Sequence, residues 1–95
     1  MGIDFSMYLH LGQDVVVRTG DIIGIFDMDN TTVSPRTREF LKVAEKEKRV
    51  TYVSMELPKS FVVCAPKEER HKTTVYIAQV APATLRKRAR MKDNL

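Results

Sequence analysis

The first third of the chain alternates short apolar runs with polar turns that contain glycine or aspartate. Apolar and polar residues alternate over 7–11, three valines follow at 15–17, and a continuous apolar run occupies 22–26. The segments between them, 12–14 and 19–21, have the composition of tight turns. The pattern predicts three short β-strands joined as an antiparallel meander.

The dipeptide Ser34-Pro35 predicts the start of a helix. A serine hydroxyl at this position accepts a hydrogen bond from a first-turn amide. Proline suits the first helical position because its missing N–H would have no partner there. Phe40, Leu41 and Ala44 then fall on one side at helical spacing. These features predict an α-helix over residues 35–48.

The remainder of the chain predicts three more strands and a second helix. Residues 50–54 return to β-branched character, and 60–65 form a continuous apolar run typical of a strand buried on both faces. The charged segment 66–72 predicts a hairpin tip before the β-rich run at 73–80. A final helix is expected over 82–92. The element order β-β-β-α-β-β-β-α predicts a small single α+β domain with a mainly antiparallel sheet.

Length and composition limit the classes of protein that fit this pattern. Ninety-five residues, 43% of them hydrophobic and 29% charged, suffice for one folded domain and not for two. The single cysteine excludes an internal disulfide and a cysteine-rich zinc site. No apolar run has the length of a membrane span, and the first residues lack the features of a signal peptide. We therefore expect a cytoplasmic protein with no membrane partner.

The charges are distributed unevenly along the chain. Residues 1–33 hold one base and five acids, a balance of −4, whereas residues 34–95 hold fifteen bases and seven acids, a balance of +8. The densest basic run, five bases in seven residues at 86–92, lies on the predicted last helix. Leu85 and Ala89 share the side that would dock on the sheet. The bases would then contact phosphates, or would simply be solvated near the negative pole of the helix dipole.

The segment 22–31 raises a competing hypothesis. An apolar strand followed by Asp27-Met28-Asp29-Asn30-Thr31 resembles the nucleophile motif of haloacid dehalogenase-type phosphatases. In that chemistry Asp27 would attack phosphorus and Asp29 would protonate the leaving group. The mechanism also needs Mg²⁺ held by a later acidic cluster, yet the only acid after Glu69 is Asp93. We therefore expect Asp27 and Asp29 to end a strand in a turn.

Cys64 and two histidines are the remaining candidates for chemistry. Cys64 lies inside an apolar run, so burial should raise its pKa and lower its reactivity. His10 lies in a predicted strand and His71 in a charged loop, and neither has a carboxylate or thiol partner at metal-ligand spacing. We expect a core cysteine and a protein that is not an enzyme, with no catalytic residues, no metal site and no cofactor.

Five segments resemble the bacterial extracellular matrix regulatory proteins: MYLHLG at 7–12, DIIGIFD at 21–27, SP at 34–35, PKSFVV at 58–63 and TLRKRA at 84–89. The resemblance is closer to the RemB branch than to the RemA branch, and it covers the chain from Met7 onward. It implies one RemB-like regulatory domain at 7–95 and an N-terminal extension at 1–6. It also implies that Asp27 is the exit of the third strand.

The resemblance implies a small regulator of biofilm-matrix genes. RemA-type members are implied to be ring-forming DNA binders that grip the phosphate backbone with basic side chains on turns. The implied arginines lie in the turn before the third strand and in the loop before the strand at 61–63. This sequence has Asp21 and Leu57-Pro58 there. The neighbouring bases Arg18 and Lys59 are the candidates to replace them by a shift of register.

Two functional hypotheses result. The first is an oligomeric transcription regulator that binds double-stranded DNA through its phosphates, without base-specific readout. Its candidate DNA-binding residues are Arg18, Lys59, Arg86, Lys87, Arg88 and Arg90. The second is a protein-interaction subunit that self-associates into a ring or acts through a RemA-like partner and never touches DNA. In that case an acidic face would meet a basic edge of the neighbouring subunit, through Asp14, Asp21, Asp27 and Asp29.

Overall fold

A computed structural model describes residues 8–28 and 34–93, with side chains of the last helix described up to residue 89. The elements are β1 (Tyr8–Gly12), β2 (Val15–Arg18), a short 3-10 turn (Thr19–Asp21), β3 (Ile22–Asp27), α1 (Pro35–Lys46), β4 (Val50–Tyr52), β5 (Ser60–Cys64), β6 (Thr74–Ala78) and α2 (Pro82–Asp93). The predicted element order and the α+β class are confirmed. The predicted N-terminal extension at 1–6 lies outside the described residues.

The strands form two sheets rather than one. β1 and β2 make an antiparallel hairpin, and the other four strands pair in the order β3-β5-β6-β4. The predicted three-stranded meander is therefore wrong in its last strand, because β3 leaves β2 and pairs antiparallel with β5. β4 pairs parallel with β6, since α1 carries the chain from one edge of the sheet to the other. The remaining pairs are antiparallel, as the sequence predicted.

The four-stranded sheet separates two apolar layers. On one face, α1 covers side chains of β5 and β6 that include Phe61 and Val75. On the other face, the β1–β2 hairpin and α2 cover Val62 and Cys64. Successive side chains of a strand point to opposite faces, so all five residues of β5 are buried. The predicted strand buried on both faces is confirmed.

A β-bulge gives β3 an unusual distribution of side chains. Ile22 pairs with Cys64 while Gly24 pairs with Val63, so Ile23 is an extra residue in β3. In a regular strand, residues three positions apart would face opposite sides of the sheet. The bulge lets Ile22 and Ile25 both pack against the core on the α2 side. It also brings Ile23 to the side that faces α1.

Helix α1 is fixed by local interactions at both ends. Ser34 Oγ accepts a hydrogen bond from the Thr37 amide at 3.2 Å, and Pro35 opens the first turn, as predicted. The helix ends at Lys46 because Lys48 adopts a left-handed conformation with φ of 60°. The Lys48 and Arg49 amides then donate to the carbonyls of Glu45 and Ala44, which is the Schellman arrangement. None of the helices in the described ranges is long and apolar enough to cross a bilayer.

Cys64 lies on β5 among apolar side chains, which gives a testable pH dependence. Burial, and to a lesser extent the Asp21 carboxylate, raises the pKa of the Cys64 thiol from 9.0 to about 12. The folded chain therefore keeps a proton that the unfolded chain releases above pH 9. The stability due to this proton is fully present below pH 9 and is lost as the pH rises to 12, with about 1 kcal/mol gone by pH 10.

Denaturant unfolding at pH 7 to 10.5 measures this loss. Burial raises the pKa of Tyr76 as well, so the control is Cys64→Ala, which keeps the tyrosine and removes the thiol. We expect the stability of the wild-type chain to fall more steeply with pH than that of the variant. Parallel pH profiles for the two proteins would show that the buried thiol does not titrate as inferred.

Candidate nucleic-acid interface

The exposed side of α2 presents three consecutive bases. Leu85 is fully buried and Ala89 packs against the core, so the side of the helix that carries these two residues is the buried side. Arg86, Lys87 and Arg88 are exposed on the remaining surface. The predicted docking side and basic side of this helix are therefore both present. The side chain of Arg90, the fourth candidate base on this helix, lies outside the described residues.

Two of these bases also tie α2 to neighbouring strands. Arg86 Nη2 donates to the Ile25 carbonyl at 2.6 Å, and Arg88 Nη1 donates to the His10 carbonyl at 3.3 Å. β3 is an edge strand of its sheet, and such strands have backbone groups without a strand partner. Arg86 satisfies one of them. A guanidinium has five N–H donors, so each arginine retains donors for a further acceptor such as a phosphate.

The local charge balance of α2 differs from that of α1. No acid occurs between Pro82 and Ala89, so the basic side chains of this part of α2 are not neutralised within the helix. In α1 the bases alternate with Glu39 and Glu45, and that helix has a mixed surface. The ion pairs given for the described residues do not involve α2, since they join Arg49 to Glu47 and Lys72 to Glu69. The first seven residues of α2 therefore carry three positive charges with no acid among them.

A second group of bases surrounds the turn before β3. Arg18 precedes this turn and is exposed. Arg70 crosses to it from the β5–β6 loop, with Nη1 donating to the Ala65 carbonyl at 3.0 Å and Nη2 to the Gly20 carbonyl at 3.4 Å. Lys67 approaches the same turn so closely that a Cβ on Gly20 would lie 3.0 Å from its Cε. We call Arg18, Lys67 and Arg70 the turn cluster.

The sequence predicts Arg18 as a DNA-binding residue of this cluster, but it does not predict Lys67 or Arg70. The segment 66–72 was predicted only as a charged hairpin tip. The position of that tip depends on β3 pairing with β5, which brings the Ala65 amide to the Asp21 carbonyl at 2.8 Å. This pairing joins residues that are 33 to 42 positions apart in the sequence, so no local pattern signals it.

The structure separates Arg18 from Lys59. Lys59 is exposed and directly precedes β5, where its carbonyl accepts from the Met28 amide beyond the end of β3. Arg18 lies just before the opposite end of β3. A strand of six residues spans about 20 Å, so one chain cannot bring these two side chains to the same phosphate. The same geometry separates Asp21, which directly precedes β3, from Asp27, which is its last residue.

The candidate phosphatase motif lies at the sheet edge. Asp27 is the last residue of β3, which is an edge strand paired antiparallel with β5. The nucleophile of haloacid dehalogenase-type phosphatases lies at the end of a strand inside a parallel sheet. Asp27 instead ends an edge strand whose only strand partner among the described residues is antiparallel. Asp29 lies outside the described residues. Within 8–28 and 34–93, no group of three histidine, cysteine or acidic side chains converges as a metal-ligand set.

Comparison with known proteins gives one informative match. No family model matches the chain. Over 83 residues it is 43% identical to a protein of Bacillus subtilis (strain 168) called extracellular matrix regulatory protein B. The match covers 87% of this chain and 90% of that protein. Identity at this level over nearly the full length of both chains indicates a shared fold and a common family.

Proposed function

The chain belongs to the family of extracellular matrix regulatory protein B, and on this basis we propose that it is a non-enzymatic cytoplasmic regulator of biofilm-matrix gene expression. It binds double-stranded DNA through the phosphate backbone and does so as an oligomer. It needs no metal or cofactor. The candidate contacts are on α2 and in the turn cluster.

The observation that carries the proposal is the basic surface of α2. Arg86, Lys87 and Arg88 are exposed on a segment without acids, and two of them are anchored to backbone carbonyls of other elements. Anchoring limits the number of conformations that each side chain gives up when it meets a phosphate. A rigid group of cations with spare donors is suited to the regularly spaced, negatively charged backbone of a duplex.

Assembly of several chains increases the number of phosphate contacts that the protein can make with one duplex. A single chain offers a few exposed bases on α2 and a few in the turn cluster, and Lys59 lies at the far end of β3. Several copies joined in one assembly present these groups repeatedly to one duplex. Linked binding sites raise the overall affinity without new contacts in each subunit. Because the contacts are with phosphates, we expect little preference for base sequence.

The proposal predicts a strong salt dependence of DNA binding. Fluorescence anisotropy of a labelled 40-base-pair duplex of arbitrary sequence measures the affinity at 50 and 200 mM salt. With six or more phosphate contacts, the affinity should fall by about 10³-fold or more over this range. A second duplex of unrelated sequence should bind within a few-fold of the first. Absence of binding at 50 mM salt would remove the DNA part of the proposal.

A second candidate function is supported by the apolar surface of the molecule. Tyr8, Ile23, Met55 and Leu57 are all at least half exposed, and side chains of this kind are common in protein interfaces. The chain would then be an interaction subunit that assembles with itself or with a RemA-like partner and does not touch DNA. Light scattering with and without duplex DNA distinguishes the two functions, because only the first predicts a DNA-dependent increase in mass.

A further inference from the structure

An open apolar groove lies between α1 and the edge strand β3. Its volume is about 240 Å³, and its lining comes from β3, β5 and the first turns of α1. The lining residues are Ile23, Phe26, Arg36, Thr37, Phe40 and Phe61, together with Val63. Most of this surface is hydrocarbon or aromatic carbon, and Arg36 and Thr37 are its polar members. We call this feature the β3 groove.

The groove results from two features of β3. The bulge at Ile23 brings an apolar side chain to the α1 side, where it is 52% exposed. Gly24 leaves space for the Phe26 ring, because a Cβ at this position would lie 2.6 Å from the ring. Phe26 stacks on Phe61 with ring centroids 4.9 Å apart, and both rings line the groove. The apolar surface is therefore built into the strand and is not an accident of loose packing.

A second apolar feature projects from the loop between β4 and β5. Met55 is 94% exposed and Leu57 is 78% exposed, the highest values among the large hydrophobic side chains of the described residues. Ser54 stabilises the start of the loop through two hydrogen bonds. Its hydroxyl donates to Gln79 Oε1 at 2.6 Å and accepts from the Glu56 amide at 3.1 Å. We call Met55, Glu56 and Leu57 the apolar loop.

We propose that the apolar loop of one chain docks in the β3 groove of a second copy. The side chains of Met55 and Leu57 enter the groove and contact its apolar lining. The carboxylate of Glu56 forms an ion pair with the guanidinium of Arg36. The inference rests on the assembly part of the proposed function and identifies the interface that makes it. The loop and the groove are complementary in polarity and in charge. The apolar side chains of the loop meet an apolar lining, and the carboxylate of Glu56 meets the guanidinium of Arg36.

The partner is another copy because each chain carries both halves of the contact. No residue of the apolar loop lines the groove of its own chain. The groove lies at the β3 edge of the sheet, whereas the loop follows β4 at the opposite edge. Two different surfaces that meet between copies give a head-to-tail contact, which closes into a ring or extends as an open chain.

Complementary variants test this geometry. Leu57→Asp disables the loop and Ile23→Asp disables the groove, so each variant alone should lose assembly and elute as a monomer in chromatography with light scattering. The loss of one buried leucine corresponds to about 10- to 100-fold weaker association. A mixture of the two variants still has one intact loop and one intact groove. We expect that mixture to form a heterodimer and nothing larger.

Charge exchange provides a test that leaves the apolar contacts in place. Arg36→Glu and Glu56→Arg should each weaken association, and the double variant should restore it. Val16→Asp is the matched control, because Val16 is half exposed on β2 and belongs to neither surface. Circular dichroism of every variant establishes that it folds.

The outcomes separate this inference from the proposed function. An oligomer of unchanged mass in the loop and groove variants would overturn the interface and leave the proposed function standing. A strictly monomeric wild-type chain at high concentration would overturn both the interface and the assembly. Loss of assembly in Ile23→Asp with no loss in Leu57→Asp and Glu56→Arg would mean that the groove binds something other than the apolar loop, and would also overturn the inference.

Discussion

Replacement of Arg86, Lys87 and Arg88 by glutamine should lower the affinity for duplex DNA by about 10²- to 10³-fold at 50 mM salt. Each phosphate contact releases about one condensed counterion, so the loss of three contacts should also reduce the slope of log affinity against log salt by about 2.7. Glutamine keeps the helix propensity of the segment and can still donate to a carbonyl. Anisotropy titration at several salt concentrations measures both quantities.

The matched control removes the same number of charges from α1. Arg38, Lys42 and Lys46 are exposed there and alternate with glutamates, so their replacement by glutamine should change the affinity much less. The comparison separates a defined contact surface from a general effect of net charge. Equal losses in the two triple variants would show that α2 has no special role. Unchanged assembly in both variants is expected, because neither set lies in the β3 groove or the apolar loop.

Truncation of Phe61 to alanine should give the largest loss of stability of any single substitution in the core. Phe61 is 1% exposed, stacks on Phe26, and packs in the layer beneath α1. Removal of a buried phenylalanine side chain costs about 3–5 kcal/mol, which includes the cavity left behind. A domain of this length has a total stability of about 5–14 kcal/mol. The variant should therefore be marginally folded, with a much lower denaturant midpoint in urea.

Two further variants identify the cause of that loss. Phe61→Leu preserves most of the volume and should cost less than about 1.5 kcal/mol. Phe26→Ala removes the exposed partner of the stack and should cost less than Phe61→Ala, because Phe26 is already about one-third exposed. If Phe61→Ala and Phe26→Ala have equal effects, the stack itself and not the burial of Phe61 dominates the stability of this layer.

Local chemistry explains why the element order could be predicted from the sequence. Ser34 and Pro35 define the start of α1 through hydrogen bonds within four residues. The continuous apolar run at 60–65 indicates a strand with both faces covered, which β5 is. Strand pairing depends on distant residues, and here the prediction failed. The turn at 19–21 suggested a meander, but β3 crosses to β5 because its apolar residues complete the layers on both sides of the sheet.

The candidate site also contains residues that a local pattern predicts and residues that depend on strand pairing. The basic run on α2 is visible in the sequence because its residues are consecutive and its docking side repeats every four residues. Lys67 and Arg70 reach the turn of Arg18 only through the pairing of β3 with β5. The β3 groove depends on a bulge, and a one-residue shift within a strand leaves no clear signal in an apolar run such as Ile22–Phe26.

Chromatography with light scattering, with and without a 40-base-pair duplex at 50 and 500 mM salt, tests both the assembly of the chain and its binding to the DNA backbone. We expect the chain alone to have a mass above that of a monomer at both salt concentrations, because the proposed interface is largely apolar. At 50 mM salt the protein and the duplex should elute together, and at 500 mM salt they should separate while the protein remains assembled. An assembled protein that does not elute with DNA at 50 mM salt would contradict the claim of phosphate-backbone binding, and a monomer at both salt concentrations would contradict the claim of assembly.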